Sequence, residues 1–258
     1  MIVNYGEKGW EIITQRAHGI VAAQIGFHWK FSDRPRNWVE IILAIAEHDD
    51  AENELDGENL LTDAGGPLNY DMKTFNLEHC RKLASLTVVK SRMIALLTSL
   101  HMEFLYAGAK GSKTSAKKFL AEQKKLRSKW MKELRISEAE LLKIYNLLEC
   151  CDALSLLICK GEFQDGQRSI EISTGPDNKT YQLKKVNDQT LTVHPWPFSV
   201  PSIDISFESR NMTNIQFSSS AQFRKLFMET AVTEKTWKLA RASTKSSKTK
   251  ALTKVNNK

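Results

Sequence analysis

Histidine and aspartate are the residues of this chain whose types and spacing could do chemistry. His48 and Asp49 stand side by side at the end of the apolar run Trp38 to His48, His18 lies thirty residues upstream, and Asp152 falls within the apolar run Leu147 to Leu157. A polar group buried in such surroundings without a partner costs about 2 to 7 kcal/mol. One divalent cation would supply the partner to all four. Neighbouring residues on a helix diverge by about 100°, so His48 and Asp49 converge on one ion only where a helix ends. The acidic stretch that follows suits such an end. Taken singly, His18 would read as a surface or hydrogen-bonded histidine, and Asp152 as a carboxylate bonded to a buried arginine or to Ser155.

His101, embedded in Ala95 to His101, is a further candidate ligand. His79 lies in the same helical stretch. On a continuous helix the two would be about 33 Å apart, so His79 reads as an exposed residue at a helix start. His28 reads as a satisfied histidine, and His194, in Val193 to Phe198, shows no partner in the sequence.

The elements that must position these residues follow from periodicity and punctuation. Trp10 to Thr14 reads as a short strand and Gln15 to about Lys30 as a helix, broken by Asp33-Arg34-Pro35. Trp38 to His48 reads as a helix buried on most sides. Residues 56–76 form a long loop, of the kind that serves as a lid or substrate wall. Leu77 to about Ala107 is helical with a break near Lys90, and 115–135 is an amphipathic lysine-rich helix whose inner face is Phe119, Leu126, Trp130 and Leu134. Ser137 to Glu140 is a capping box opening the helix that runs to Cys159. From Gly161 onward, turn signals separate β-prone runs, and Ile203, Ile205 and Phe207 alternate. The expected fold is mainly α: a helical domain over residues 1–160, a small β-rich α+β segment over 161–241, and a disordered basic tail over 242–258.

Composition narrows the class. The net charge of +7 is uneven: residues 110–135 carry +8 and 235–258 another +8, leaving −9 for the part that holds the candidate ligands. The four cysteines, three of them on one helix, form neither a disulfide framework nor zinc-ligand spacing. There is no signal-like N-terminal segment and no eighteen-residue uncharged apolar stretch. The expectation is a cytoplasmic protein with no membrane partner.

The order His18, His48-Asp49, Asp152 across helical sequence resembles the HD-domain superfamily of metal-dependent phosphohydrolases. The chain from residue 1 to about 240, with Ser99-Leu100-His101, Asp152-Ala153-Leu154-Ser155-Leu156 and Trp196-Pro197-Phe198, also resembles the bacterial family of domain of unknown function 3891. The first resemblance implies an HD-like helical domain. In it His18, His48, Asp49 and Asp152 would bind Mn, Fe or Co, one ion or two, with His101 available to the second. It also implies catalytic roles for Asp49 and Glu52, the latter orienting or deprotonating a water. The expected function is hydrolysis of a small phosphorylated substrate, a phosphomonoester or phosphodiester such as a nucleotide. The alternatives are an HD-type di-iron oxygenase and a non-catalytic protein that binds nucleic acid or an acidic partner through the basic helix and tail. Lysine-dominated helical faces are usually just solvated, which weighs against the last.

Overall fold

The computed structural model describes residues 1–50, 54–108, 114–166 and 168–242. Glu52 and nearly all of the basic tail lie outside them. Two strands open the chain, β1 (Ile2–Gly6) and β2 (Gly9–Ile13), paired as an antiparallel hairpin. Six helices hold most of the next 150 residues: α1 (Gln15–Phe27), α2 (Trp38–Ala46), α3 (Leu77–Val88), α4 (Arg92–Tyr106), α5 (Thr114–Leu134) and the long α6 (Glu138–Lys160). The remainder is β3 (Ser169–Thr174), β4 (Thr180–Asn187), β5 (Thr190–His194), β6 (Ser202–Met212), α7 (Ser220–Glu229) and β7 (Val232–Ala240).

Local chemistry explains the boundaries. The Thr14 hydroxyl accepts from the Ala17 amide at the start of α1, and Ser137 accepts from the Glu140 amide at the start of α6, each satisfying a donor that the helix itself leaves free. Ser91 accepts from the amides of Met93 and Ile94. That cap divides the long helical stretch, so α3 folds back against α4. The separation of about 33 Å between His79 and His101 therefore does not arise, and both line one cleft.

The expectation of a mainly α protein is corrected. The chain is 48% helical and 23% strand, and the seven strands among the described residues form one curled mixed sheet in the order β1-β2-β6-β7-β5-β4-β3. Among the described residues only β5 and β7 pair in parallel. The β-rich C-terminal portion is larger than the sequence suggested because it takes in the N-terminal hairpin: Trp10, Glu11 and Ile12 of β2 pair with Met212, Asn211 and Arg210 of β6. A pairing between residues two hundred positions apart leaves no local trace in either segment. Along β6, Ile203, Ile205, Phe207 and Ser209 turn inward while Asp204 and Glu208 face out, the period-2 pattern of a half-buried strand.

The helical layer is tied to the sheet by specific bonds. The Gln24 side chain of α1 donates to the Ser206 carbonyl at 2.8 Å and accepts from its amide at 3.1 Å. At the far end of α6, the Asn4 amide group donates to the Cys159 carbonyl at 2.9 Å. One apolar cluster joins α1, α2, α4 and α6 to the inner faces of β4, β5 and β6. The basic helix α5 packs with Phe119 and Trp130 buried, but Leu126, expected inside, is exposed. Arg127 fills the inner face instead, donating to the carbonyl and hydroxyl of Ser99 and pairing with Glu103. No helix among the described residues is long and apolar enough to cross a membrane.

Candidate metal centre

Three helices and one helix end deliver the polar cluster. His18 lies in the second turn of α1, His101 in the third turn of α4, Asp152 midway along α6, and His48-Asp49 in the turn just past the end of α2. The close approach of α1 to α2 depends on Gly19. A Cβ there would sit 2.2 Å from the Ala46 carbonyl oxygen, so any larger residue would hold the two helices, and hence His18 and His48, apart. On α6 the buried face reads Tyr145, Leu148, Asp152, Ser155, one stripe at helical spacing.

His18, His48 and His101 are all buried, as is Asp152. Nε2 of His18 lies 3.2 Å from Nε2 of His48, and both lie near Oδ1 of Asp152, at 3.1 and 3.3 Å. Asp49 Oδ2 is 3.6 Å from His48 Nε2. The other oxygens of the two carboxylates face His101, whose Nε2 is 3.8 Å from Asp49 Oδ1 and 4.0 Å from Asp152 Oδ2. The result is two overlapping groups, His18-His48-Asp49 and His48-His101-Asp152, whose ligand atoms lie within 4.8 Å of one another.

The opposite ring nitrogens fix the tautomers. Nδ1 of His48 is 2.8 Å from the Ile45 carbonyl, which can only accept, so this nitrogen carries the proton. That carbonyl is one of those left free at the end of α2. The Ser155 hydroxyl donates to the Asp152 carbonyl at 2.8 Å and therefore accepts from Nδ1 of His18 at 2.7 Å. Both Nε2 atoms consequently present lone pairs to each other and to Asp152 Oδ1, a buried oxygen that receives no hydrogen bond among the described residues. Three acceptors in mutual contact need positive charge between them. A single added proton can bridge only one pair of the three, whereas a divalent ion satisfies all of them.

The electrostatics agree. Burial opposes charge on His48, but the Asp152 and Asp49 carboxylates outweigh it and push its pKa up to about 10. Burial likewise opposes ionisation of Asp152, yet the His48 charge and the contacts with both histidines hold its carboxyl well below the usual range, and Asp49 is lowered by the neighbouring histidines. His101 is pushed down by burial and by the adjacent His48. The spacing of the donor atoms fits a metal ion. Ion-to-ligand distances of about 2.1 Å at angles of about 90° to 110° give ligand-to-ligand edges of about 3.0 to 3.4 Å, which spans the edges of the His18-His48-Asp152 triangle. These buried groups could hold a metal ion. The four cysteines are free, buried and outside both groups.

A cleft of about 270 Å³ opens onto Asp49, His101 and Asp152. Gln15 and Arg16 of α1 form one wall, and Tyr70 and Lys73 of the long loop another. Gln15 donates to Asp49 Oδ2 at 3.1 Å, and Arg16 pairs with Asp50 at 2.6 Å. His79 lines the mouth rather than facing solvent on a distant helix turn. His28 caps the end of α1, and His194 ends β5, both away from the cluster.

Sequence reasoning did not reach Tyr145, whose hydroxyl lies 3.4 Å from Nδ1 of His101. Its position seven residues before Asp152, two turns away on the same helix face, is the signal that could have found it. Ser155, considered only as a partner for the Asp152 carboxylate, instead orients His18. Replacing it with alanine is expected to leave the fold intact and to weaken metal binding about 10- to 100-fold, as loss of a partner behind a ligating histidine does. Competition with a chromogenic chelator measures this, and unchanged affinity would show that the hydroxyl does not set the ring.

No curated protein and no solved structure matches the chain. The family model described as protein of unknown function (DUF3891) matches residues 1–214, a span that takes in every residue of the cluster and of its cleft, and the chain belongs to that family.

Proposed function

We propose that this protein is a metal-dependent phosphohydrolase acting on a phosphomonoester or phosphodiester, with His18, His48, Asp49 and Asp152 as ligands of its ion. The observation that carries the reading is the set of three mutually facing acceptor atoms, His18 Nε2, His48 Nε2 and Asp152 Oδ1, at 3.1 to 3.3 Å beside an open cleft. The likeness of the His18, His48-Asp49, Asp152 order to the HD-domain superfamily supports it. When bound, a divalent ion lowers the pKa of a coordinated water and withdraws charge from phosphoryl oxygens. The chain's own groups do the rest. Lys73 and Arg16 in the cleft walls meet the charge of a phosphate. Glu52, two positions before the cleft residue Glu54, orients or deprotonates the attacking water.

The carboxylates' second oxygens, turned toward His101, favour room for a second ion, and with it a di-iron oxygenase as the alternative reading. Two irons per chain together with substrate-dependent O2 uptake would select it.

Metal content after purification without chelator, followed by hydrolysis of p-nitrophenyl phosphate, bis(p-nitrophenyl) phosphate and a panel of nucleotides, tests the proposal. Asp49→Ala is expected to lose its metal. Glu52→Gln is expected to keep it while turnover falls by about 100-fold or more, the usual cost of removing a general base. Equal metal loss in both variants would make Glu52 a ligand, and a metal-loaded protein inert on every phosphoester would reject the hydrolase.

A further inference from the structure

We infer that the groove between the second half of α4, the second half of α5 and the start of α6 is a docking site for an acidic, amphipathic helical segment of a partner protein. The groove has a volume of about 660 Å³, and its floor is apolar, formed by Leu100, Met131, Leu141 and Leu142. Leu142 is 45% exposed at the groove's edge. Lys124, Lys132 and Arg135 stand on the rim. None of these three forms an ion pair among the described residues, whereas Glu103 inside the groove is already neutralised by the buried Arg127. Glu138 is the one further carboxylate of the lining and sits at the start of α6, where the helix dipole favours it.

Arg135 supplies a second, independent observation. It adopts φ +52°, in the left-handed region that suits glycine and strains other residues. The surrounding bonds are those of a helix C-terminus that normally carries glycine at this position: the Arg135 amide donates to the Lys132 carbonyl at 3.2 Å and the Ile136 amide to the Met131 carbonyl at 3.1 Å. An arginine held there against its own backbone preference places a cation over the groove. Strained positions that persist tend to serve function.

The floor and rim together select the occupant. A helix with leucine-like residues on one face and carboxylates beside them fills an apolar groove and neutralises its rim. A nucleic-acid backbone has nothing apolar to place on Leu141 and Leu142, and the lining holds no aromatic ring on which a base could stack. A flat bilayer does not reach a concave floor.

The test uses the full-length protein and a fluorescein-labelled eighteen-residue peptide of leucine at helical spacing with glutamate elsewhere. Control peptides replace every glutamate with lysine or every leucine with serine. Saturable binding of the first peptide alone is expected. Leu142→Ser and Arg135→Gly should each weaken it at least tenfold, while Arg135→Gly raises the thermal midpoint because glycine relieves the left-handed residue. That pair of opposite effects is not what a structural role for Arg135 would give. The proposal is overturned by failure of the leucine-glutamate peptide to saturate, by binding that ignores both substitutions, or by equal binding of the serine control. It is also overturned if duplex DNA, oligouridine or phosphatidylserine vesicles bind in its place and lose affinity on Leu142→Ser.

Discussion

An Asp152→Ala variant is expected to purify without metal and without phosphoesterase activity. Asp152 Oδ1 touches both histidine Nε2 atoms, and Oδ2 faces His101 at 4.0 Å, so this one side chain reaches all three imidazoles. Losing a direct ligand should exceed the 10- to 100-fold that an outer partner costs, and affinity is expected to fall by more than about 100-fold. The metal-free protein should suffer too. Removing one partner of a buried ion pair costs about 3 to 5 kcal/mol. Asp49 still faces His48 at 3.6 Å and His48 can shed its proton, so about 3 kcal/mol is expected.

The pH dependence follows from the direction of each shift. His48, raised from 6.5 to about 10 in the folded protein, contributes fully below pH 6.5, and its contribution fades as pH rises through about 10. Asp152, depressed from 3.8, contributes above that value and is lost as pH falls below it. In chelator-treated protein the gap in thermal midpoint between wild type and variant should thus be widest near pH 5 to 6 and small by pH 10. A gap that grows with pH would mean that His48 is neutral in the metal-free state.

Gly19→Ala is expected to damage the site from outside it. The added Cβ meets the Ala46 carbonyl oxygen at 2.2 Å, and backbone cannot step aside as a flexible side chain would. The helices must move by about 1 Å, against a tolerance of about 0.2 Å in metal-ligand distances. Overpacking costs about 1 to 3 kcal/mol, partly offset by the gain of about 1 kcal/mol from replacing a helical glycine. Stability should therefore change little while metal affinity drops at least tenfold. Gly26→Ala is the control: its Cβ would meet the Cδ1 atoms of Ile42 and Ile45, each at 3.1 Å, which can rotate away, and Cys151 Sγ at an ordinary contact distance of 3.6 Å. Full metal retention in Gly19→Ala would show that the α1-α2 spacing does not set the His18-His48 distance.

The candidate ligands were legible in the sequence because imidazoles and carboxylates within apolar helical runs stand out by cost alone. The break near Lys90, the capping box at Ser137 to Glu140 and the alternation at Ile203, Ile205 and Phe207 were legible for the same reason: each is a contact between residues a few positions apart, written in local spacing. Glu52 and the tail were read from sequence only, and they lie outside the described residues. Tertiary structure decided what depends on distant partners. The N-terminal hairpin joins the C-terminal strands through pairs such as Trp10 with Met212, and α3 folds back to bring His79 to the cleft. Tyr145 and Ser155 stand behind His101 and His18. Side-chain spacing along a strand or helix reports which face is buried but not against what. Therefore the set of candidate ligand types could be read from the chain, while their separations, their tautomers and the curled sheet that supports them came only from the packed fold.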